Sequence, residues 1–552
     1  MKRLIFLLIL LLIPVGGWGG TYYSAKIAGT IYYKLDAWPT AADTSAATLQ
    51  ALINALDNGN HVVVLDAASA WTGADGVIAL AGDNITIRTP ISTDPDYATH
   101  VGTVTIGPPS SGVPAIKVAT ARTGITLSGA ITLVGYSNYN LGTFQTYSTA
   151  SNINLKRTWD NGAWQTPIII SSDNAADVPV YVFGDGTGDP STVILDGIDA
   201  RCYRVDSDGI KINIADIGTG NIVRNSTVMN YGTQAAGTIQ GNGFDIIDSN
   251  GWTISDNIVG DQTHRWYRGI RLVASDNNTL SGNVVTYSWD GDDYSGGSGE
   301  GISIGTSSQG NDIYANLIQT CYEGIKLGST SGAGGNRVHH NLVLDSPVNG
   351  VSVTNNPTDY DLVYNNTVRH RPTANAGHGL VSQISSGKVK FYYNIVDAYT
   401  TAARPHNIQC IAIADDADPS AYDVATDYNL YYSTGTAYVG ELDGTMYDTL
   451  TDWQTALNAN PLVIGKDAHS RFGDPKFLSA TDFRLQENSP ARRIVKCAAS
   501  VWNGVANIVD KRGKKITDAS GNCLVADIDA GPYQSQQSLI RVNGRMRSIY
   551  TP

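Results

Sequence analysis

The sequence predicts an all-β fold in which one chain winds into a solenoid of short parallel strands. Two observations carry that prediction, a repeat and a composition. Seven times between Gly209 and Val396 the chain runs Gly, an apolar-x-apolar triplet, a turn of variable length, then x-x-apolar-x-x-Asn-x-apolar. The first halves read GIKI at Gly209, GFDI at Gly243, GIRL at Gly269, GISI at Gly301, GIKL at Gly324, GVSV at Gly350 and a looser GLVS at Gly379. The sixth position of the second halves is Ser226, Asn257, Asn283, Asn316, Asn341, Asn366 and Asn394, at spacings of 31, 26, 33, 25, 25 and 28 residues. A period that varies in its turns but not in its triplets marks each repeat as one coil, whose strands are too short to be stable unless coils stack. The composition agrees: 552 residues hold 58 Gly and 29 Tyr with only 16% charged residues, which suits many turns and few helices. So long a chain would ordinarily split into domains, but a solenoid core grows along one axis, so one long domain with caps is expected.

Taken in order, residues 1–19 show two basic residues, an apolar run and then small residues, the layout of a secretory signal peptide, with the mature chain expected to begin near Gly20. The apolar run is short for a membrane span, so no stable membrane insertion is expected after its removal. Residues 20–60 should form an N-terminal strand and a capping helix, because TLQALINAL has apolar residues at helical spacing before an Asn-Gly stop. Such a cap covers a β edge that would otherwise invite aggregation. Residues 61–425 should form the solenoid, irregular as far as about Ala200, with the stretch from Phe144 to Pro167 as a long loop. Inward Ile, Val and Leu alternate with outward polar residues, and coils should stack about 4.8 Å apart. Asn suits the turns because it tolerates left-handed backbone angles and its amide can bond the Asn of the next coil.

On these repeats the chain resembles the right-handed parallel β-helix proteins of the pectate-lyase-like superfamily. The resemblance implies that the Gly-apolar strand forms a first sheet and the two halves of the Asn motif a second and a third. Residues 426–535 then form a C-terminal capping region and 536–552 a tail. This region contains DYNLYY, a Trp-containing helix, GDPKF, DFRLQENSPARR and ADIDAGPY, a run similar to the C-terminal segment of many secreted bacterial β-helix proteins. It departs from that segment at Arg492, where Asp is usual, and at DIDAGPY. Asp467, His469, Asp474 and Asp527 read there as hydrogen-bonding cap residues.

A net charge of −13 argues against a nucleic-acid partner, which needs a basic face, and also disfavours a general polyanion binder. Five Cys are too few for a disulfide framework; Cys497 and Cys523 flank one loop and form the candidate pair, while Cys202, Cys321 and Cys410 read as small apolar core residues. A monomer is expected.

Chemistry belongs on the outer wall. In each Gly-apolar-x-apolar strand the x residue points outward, giving a row Lys211, Asp245, Arg271, Ser303, Lys326, Ser352. The residues before each Gly form a second column: Asp208, Asn242, Arg268, Glu300, Glu323, Asn349, His378. Only four Glu occur among 50 acidic residues, and two of them occupy consecutive rungs of this column. Stacked Glu300 and Glu323 would share a proton, hold a metal or need a cation such as Arg268. Two long turns meet the same place, bringing His264, Trp266, Tyr267, Trp289 and Tyr294 as sugar-stacking or polar contacts and Asp292 and Asp293 as oxygen ligands for Ca²⁺ together with Glu300 and Glu323. A solvated charged face and plain Asp/Gly turns are the competing structural readings of these residues.

A basic floor with aromatic rims on an exported solenoid suits an extended acidic polysaccharide. The resemblance implies a lyase, in which a Lys or Arg removes the proton beside a uronate carboxylate and calcium or a cation neutralises it. Here Lys326, its pKa lowered by neighbouring cations, or Arg271 is the expected base, Glu300 and Glu323 hold calcium or orient the base, and Arg268 joins the catalytic candidates. Lys211 and Asp245 join the substrate contacts. A glycoside hydrolase using two of Glu300, Glu323, Asp292 and Asp293, and a non-catalytic glycan-binding surface protein, are the alternatives.

Overall fold

The computed structural model describes most residues from 21 to 496 apart from turns, the longest being 67–77, 289–298, 400–406 and 414–421, and beyond 496 only 527–528, 541–542 and 545–546. The signal-peptide reading and the Cys497–Cys523 pair lie outside the described residues.

The chain is a right-handed parallel β-helix with three long sheets. The Gly-apolar strands stack in the first sheet, as in Ile210–Asn213, Asn242–Ile247, Arg268–Val273, Glu300–Ile304, Glu323–Leu327 and Asn349–Val353. The two halves of the Asn motif give the second and third sheets, as in Asp312–Tyr314 and Leu317–Gln319. Inward residues from all three sheets, such as Ile270, Leu272, Leu280 and Val285, form one continuous core without solvent exposure. The repeated Gly is required by close approach: a Cβ at Gly301 would lie 2.4 Å from Ile318 Cγ2 and 2.6 Å from the Gly324 carbonyl oxygen.

The helix Leu49–Leu56 buries Leu49, Leu52, Ile53 and Leu56, the i, i+3, i+4, i+7 face that its sequence pattern encodes. Beside it the strand Thr21–Ile27 pairs antiparallel with Thr30–Leu35 and parallel with His61–Leu65. At the other end stacking runs past 425, through Tyr422–Asp427, Leu430–Thr434, Tyr438–Leu442 and Val463–Ile464, before the helix Leu450–Ala459 seats Trp453 against the Gly440 backbone. Asp467 ties this end together, accepting from Trp453 Nε1 at 2.7 Å, the Tyr431 hydroxyl at 3.0 Å and Thr426 Oγ1 at 3.1 Å. Asp474 accepts from the Lys476 N–H, and His469 Nδ1 lies 2.8 Å from Asp427.

The six Asn form one ladder. Asn341 donates its N–H and its Nδ2–H to Asn366 Oδ1, both at 3.0 Å, and Nδ2–H also to the Ile313 carbonyl at 2.9 Å. Asn257, Asn283, Asn316, Asn366 and Asn394 repeat this, and the column runs on to Asn429, whose N–H donates to Ser470 Oγ. One detail differs from the sequence reading. The left-handed residue is the one before each ladder Asn: Asp256, Ala315, His340, Asn365 and Tyr393 have φ of 54°, 55°, 56°, 53° and 60°. The Asn itself is selected because its amide both donates and accepts, which an identical column needs. Cys202, Cys321 and Cys410 are buried in the core, as small apolar residues would be.

Candidate functional site

The strand register aligns Lys211, Asp245, Arg271, Ser303, Lys326 and Ser352 rung by rung on the outer face of the first sheet. Glu300 and Glu323 are direct partners in the adjoining column, and Asn349 and His378 continue it. Lys326 bridges the two carboxylates, with Nζ 3.3 Å from Glu300 and 3.2 Å from Glu323. Arg268 Nε approaches Glu300 at 2.6 Å, and Glu323 also accepts from Asn349 Nδ2 at 3.0 Å and Ser352 Oγ at 3.3 Å. Glu300 is only 4% exposed, so this cluster of two anions and two cations sits in the wall rather than on it. Burial lowers the Lys326 pKa, but Glu323 and Glu300 outweigh it and hold the ammonium above its ordinary value. The sequence reading of Lys326 as a base lowered by neighbouring cations is therefore corrected, because its neighbours are anions.

Two rungs away lies a second cluster. Asp245, nearly fully buried, has Arg271 at 3.3 Å on one side. Burial first, then the charge and hydrogen-bond contact of the Asp208 carboxyl, push its pKa up to about 7 against the opposing pull of Arg271 and Lys211. Asp208 accepts from Asn242 Nδ2 at 2.8 Å and has Lys211 Nζ at 3.9 Å. Lys211 also lies 5.8 Å from the Tyr181 ring centre. The strand-to-strand register that stacks Asp245 between Lys211 and Arg271 thus produces a carboxyl poised to gain or lose a proton near neutral pH.

Of the aromatic contacts expected, Tyr267 lies at the wall with the Arg268 guanidinium 4.4 Å over its ring. His264 is anchored by Asp261 at 2.9 Å and lies 4.1 Å from Tyr231. Trp266 is corrected: it is wholly buried, donates its indole N–H to the Val228 carbonyl, and fills the space left by Gly209, Gly243 and Gly260. Trp289, Asp292, Asp293 and Tyr294 lie outside the described residues. The rim that sequence reasoning missed is Tyr203 stacked on Tyr231 at 5.3 Å, with Arg201 5.7 Å over Tyr231. Each Tyr directly follows a third-sheet strand, Ile198–Cys202 and Thr227–Asn230, so the repeat register could have located both.

Residues 196–398 match the family model described as NosD, periplasmic copper-binding protein. No curated protein matches the chain. Similar solved structures include a double mutant of the periplasmic alginate epimerase AlgG, at 11% identity over 77% of this chain and 83% of that one, TM-score 0.34. A XylC complex with xylose is 10% identical over 63% of this chain and 55% of that one, TM-score 0.30. A tailspike mutant of E. coli bacteriophage HK620 is 10% identical over 65% and 56%, TM-score 0.31. No helix among the described residues is long and apolar enough to cross a membrane.

The copper of that family description does not fit the residues described. Among them no group of three His, Cys, Asp or Glu side chains stands together as a metal site. The adjacent His339 and His340 spend their Nδ1 atoms on each other at 2.7 Å, and His339 Nε2 on Asp312 at 2.8 Å. Of the four oxygen ligands expected for calcium, Glu300 and Glu323 face Lys326 and Arg268, and Asp292 and Asp293 lie outside the described residues.

Proposed function

We propose that this chain is an exported carbohydrate-active protein, a polysaccharide lyase that takes an acidic, uronate-containing glycan along the first-sheet wall. The observation that carries the reading is Asp245, a buried carboxyl set between Arg271 and Lys211 and raised to about 7. In this reading Asp245, not Lys326, is the base. Arg271 pairs with the uronate carboxylate and so acidifies the adjacent C–H bond, and Asp245 takes that proton. The electron pair forms the carbon–carbon double bond, the glycosidic C–O bond breaks, and the leaving oxygen takes a proton from water. Tyr203 and Tyr231 supply faces for sugar rings, while Arg268, Lys326, Glu300 and Glu323 shape the field of the wall. A hydrolase would use two of Glu300, Glu323, Asp292 and Asp293; the engagement of both Glu300 and Glu323 by Lys326 favours the lyase reading.

The test is a panel of acidic and neutral polysaccharides with the mature protein, read by the ultraviolet absorbance of unsaturated uronate and by reducing ends, with and without EDTA. Activity should appear on a uronate polymer, resist EDTA, and rise in kcat/KM as pH passes about 7 and Asp245 ionises. Asp245→Asn and Arg271→Ala should each remove it. Reducing ends without ultraviolet absorbance would turn the assignment to hydrolysis, and binding without turnover would turn it to a glycan-binding surface protein.

A further inference from the structure

A second feature lies away from the wall, in the connection between a second-sheet strand, Ser151–Lys156, and a third-sheet strand, Ile168–Ser172. There the chain leaves the solenoid as a two-stranded hairpin, Trp159–Asp160 against Ala163–Trp164, with the two Trp directly paired. Trp159 is 57% exposed and Trp164 45%. Their rings stand 5.0 Å apart at 79°, forming a corner. The hairpin is held in place, for Asp160 accepts from the Ser92 N–H at 2.9 Å.

Beneath it lies Arg157, only 8% exposed, with its guanidinium 4.8 Å from the Trp164 ring centre. The fold makes room for it: Gly197, at φ 71°, has no side chain, and a Cβ there would fall 2.0 Å from Arg157 Nε. Yet the Arg157 guanidinium has no hydrogen-bond partner among the described residues, its backbone N–H alone donating to the Asp196 carbonyl, and its Nε is buried and unsatisfied. Asp196, the carboxylate that pulls on it electrostatically, is spent on Arg224 at 2.9 Å and Asn225 at 2.8 Å. A buried cation without a hydrogen-bonded anion is costly, and two neighbouring exposed indoles on a rigid hairpin are an unusual apolar surface for a soluble fold.

We propose that Trp159, Trp164 and Arg157 form a non-catalytic docking site for an acidic polysaccharide, separate from the wall. The indole corner receives the C–H face of a sugar ring, and the uncompensated positive charge at its base favours a carboxylate-bearing sugar over a neutral one. Arg157 acts through the local field and through Trp164, which it orients.

The test uses the full mature protein carrying Arg271→Ala, so that the wall is weakened and turnover does not intervene. Affinity electrophoresis in gels containing polygalacturonate, alginate, hyaluronate or neutral dextran reads binding. Expected is retardation by at least one acidic polymer and not by dextran, and a roughly tenfold or greater rise in Kd on adding Trp159→Ala and Trp164→Ala, with unchanged Tm. Because Arg157→Gln risks local repacking, its readout is the ratio of acidic to neutral retardation, which should fall while the Trp corner remains. Equal binding with and without the two indoles would overturn the site. So would binding to none of the polymers, or indole-dependent binding only to anionic lipid vesicles. Loss of catalysis in an Asp245→Asn protein that still docks through the hairpin would separate the two sites.

Discussion

The asparagine ladder and the charged wall are both columns of one residue per coil, a single strand spacing apart, yet they are built on opposite principles. In the ladder every rung carries the same side chain, because an amide donates and accepts and so can stack on its own copy. From Asn257 to Asn394 none of these buried amides is left unsatisfied. In the wall like charges on successive rungs repel, so a pair such as Glu300 and Glu323 needs a cation between them. Residues there are chosen against their neighbours, Lys211 by Asp208, Arg271 by Asp245, Lys326 between Glu300 and Glu323. The wall is also imperfectly satisfied. Among the described residues Asn242 Oδ1 and Gln409 Oε1 have no partner, and Glu300 Oε2, though 2.6 Å from Arg268 Nε, makes no hydrogen bond. In the function proposed above, the wall keeps these unmet polar groups for its ligand.

Breaking the ladder should have the largest effect. Asn341→Leu removes the two hydrogen bonds donated by the side-chain amide, to Asn366 Oδ1 and to the Ile313 carbonyl, and strands the N–H and Nδ2–H of Asn316, both of which donate to Asn341 Oδ1 at 3.0 Å. The expected loss is about 3–5 kcal/mol, read as a lowered urea midpoint, with new amide exchange at Asn316. An unchanged midpoint would mean the ladder is not the principal axial tie.

Next comes Asp245→Asn, where the sign reverses. Asp245 has a folded pKa near 7, above that of an unfolded Asp, so the native state holds a proton that the unfolded chain releases. Its contribution is fully present below about pH 4 and is lost as pH rises through about 7. The variant should lack this decline and be more stable than the parent above pH 7, by about 2–4 kcal/mol, while losing activity. Parallel stability–pH curves for the two proteins would remove Asp245 from the list of titrating groups. Glu300→Gln should cost less, about 1–3 kcal/mol, because Lys326 keeps Glu323 and Arg268 is partly hydrated.

The same contrast explains what was legible in the sequence. The Asn column, the Gly strands and the alignment of Arg271, Lys326, Glu300 and Glu323 follow from period alone, since register is fixed once one face is buried. A second ladder was written in the same repeats but went unread. The first residues of the Asn motifs, Asn278, Asn311, Asn336 and Asp361, bond in sequence, each backbone N–H and amide reaching the next rung. It stops at Trp252, whose side chain cannot accept, and Asn221 Nδ2 is left without a partner there. What period cannot give is depth and sign. Trp266 sits in a turn by sequence, but three glycines in or next to the strands of neighbouring coils open a hole beneath it, and no local pattern displays that hole. Nor does composition show that the neighbours of Lys326 are anions; only the lateral offset between the two columns decides it.

The smallest effect sharpens the comparison by removing burial from it. Arg224 and Asp196 are also partners on adjacent coils, 2.9 Å apart, but Arg224 is nearly half exposed on the second sheet. Water screens that pair, and ordering a long side chain offsets most of what attraction remains, so Arg224→Ala should change the urea midpoint by less than about 0.5 kcal/mol. It should also show salt dependence that Glu300→Gln lacks, because screening reaches an exposed pair and not one whose carboxylate is 4% exposed. Were Arg224→Ala as damaging as Glu300→Gln, pairing between rungs rather than burial in the wall would be the source of the cost. The unmet polar groups around Glu300 would then lose their claim to a functional origin.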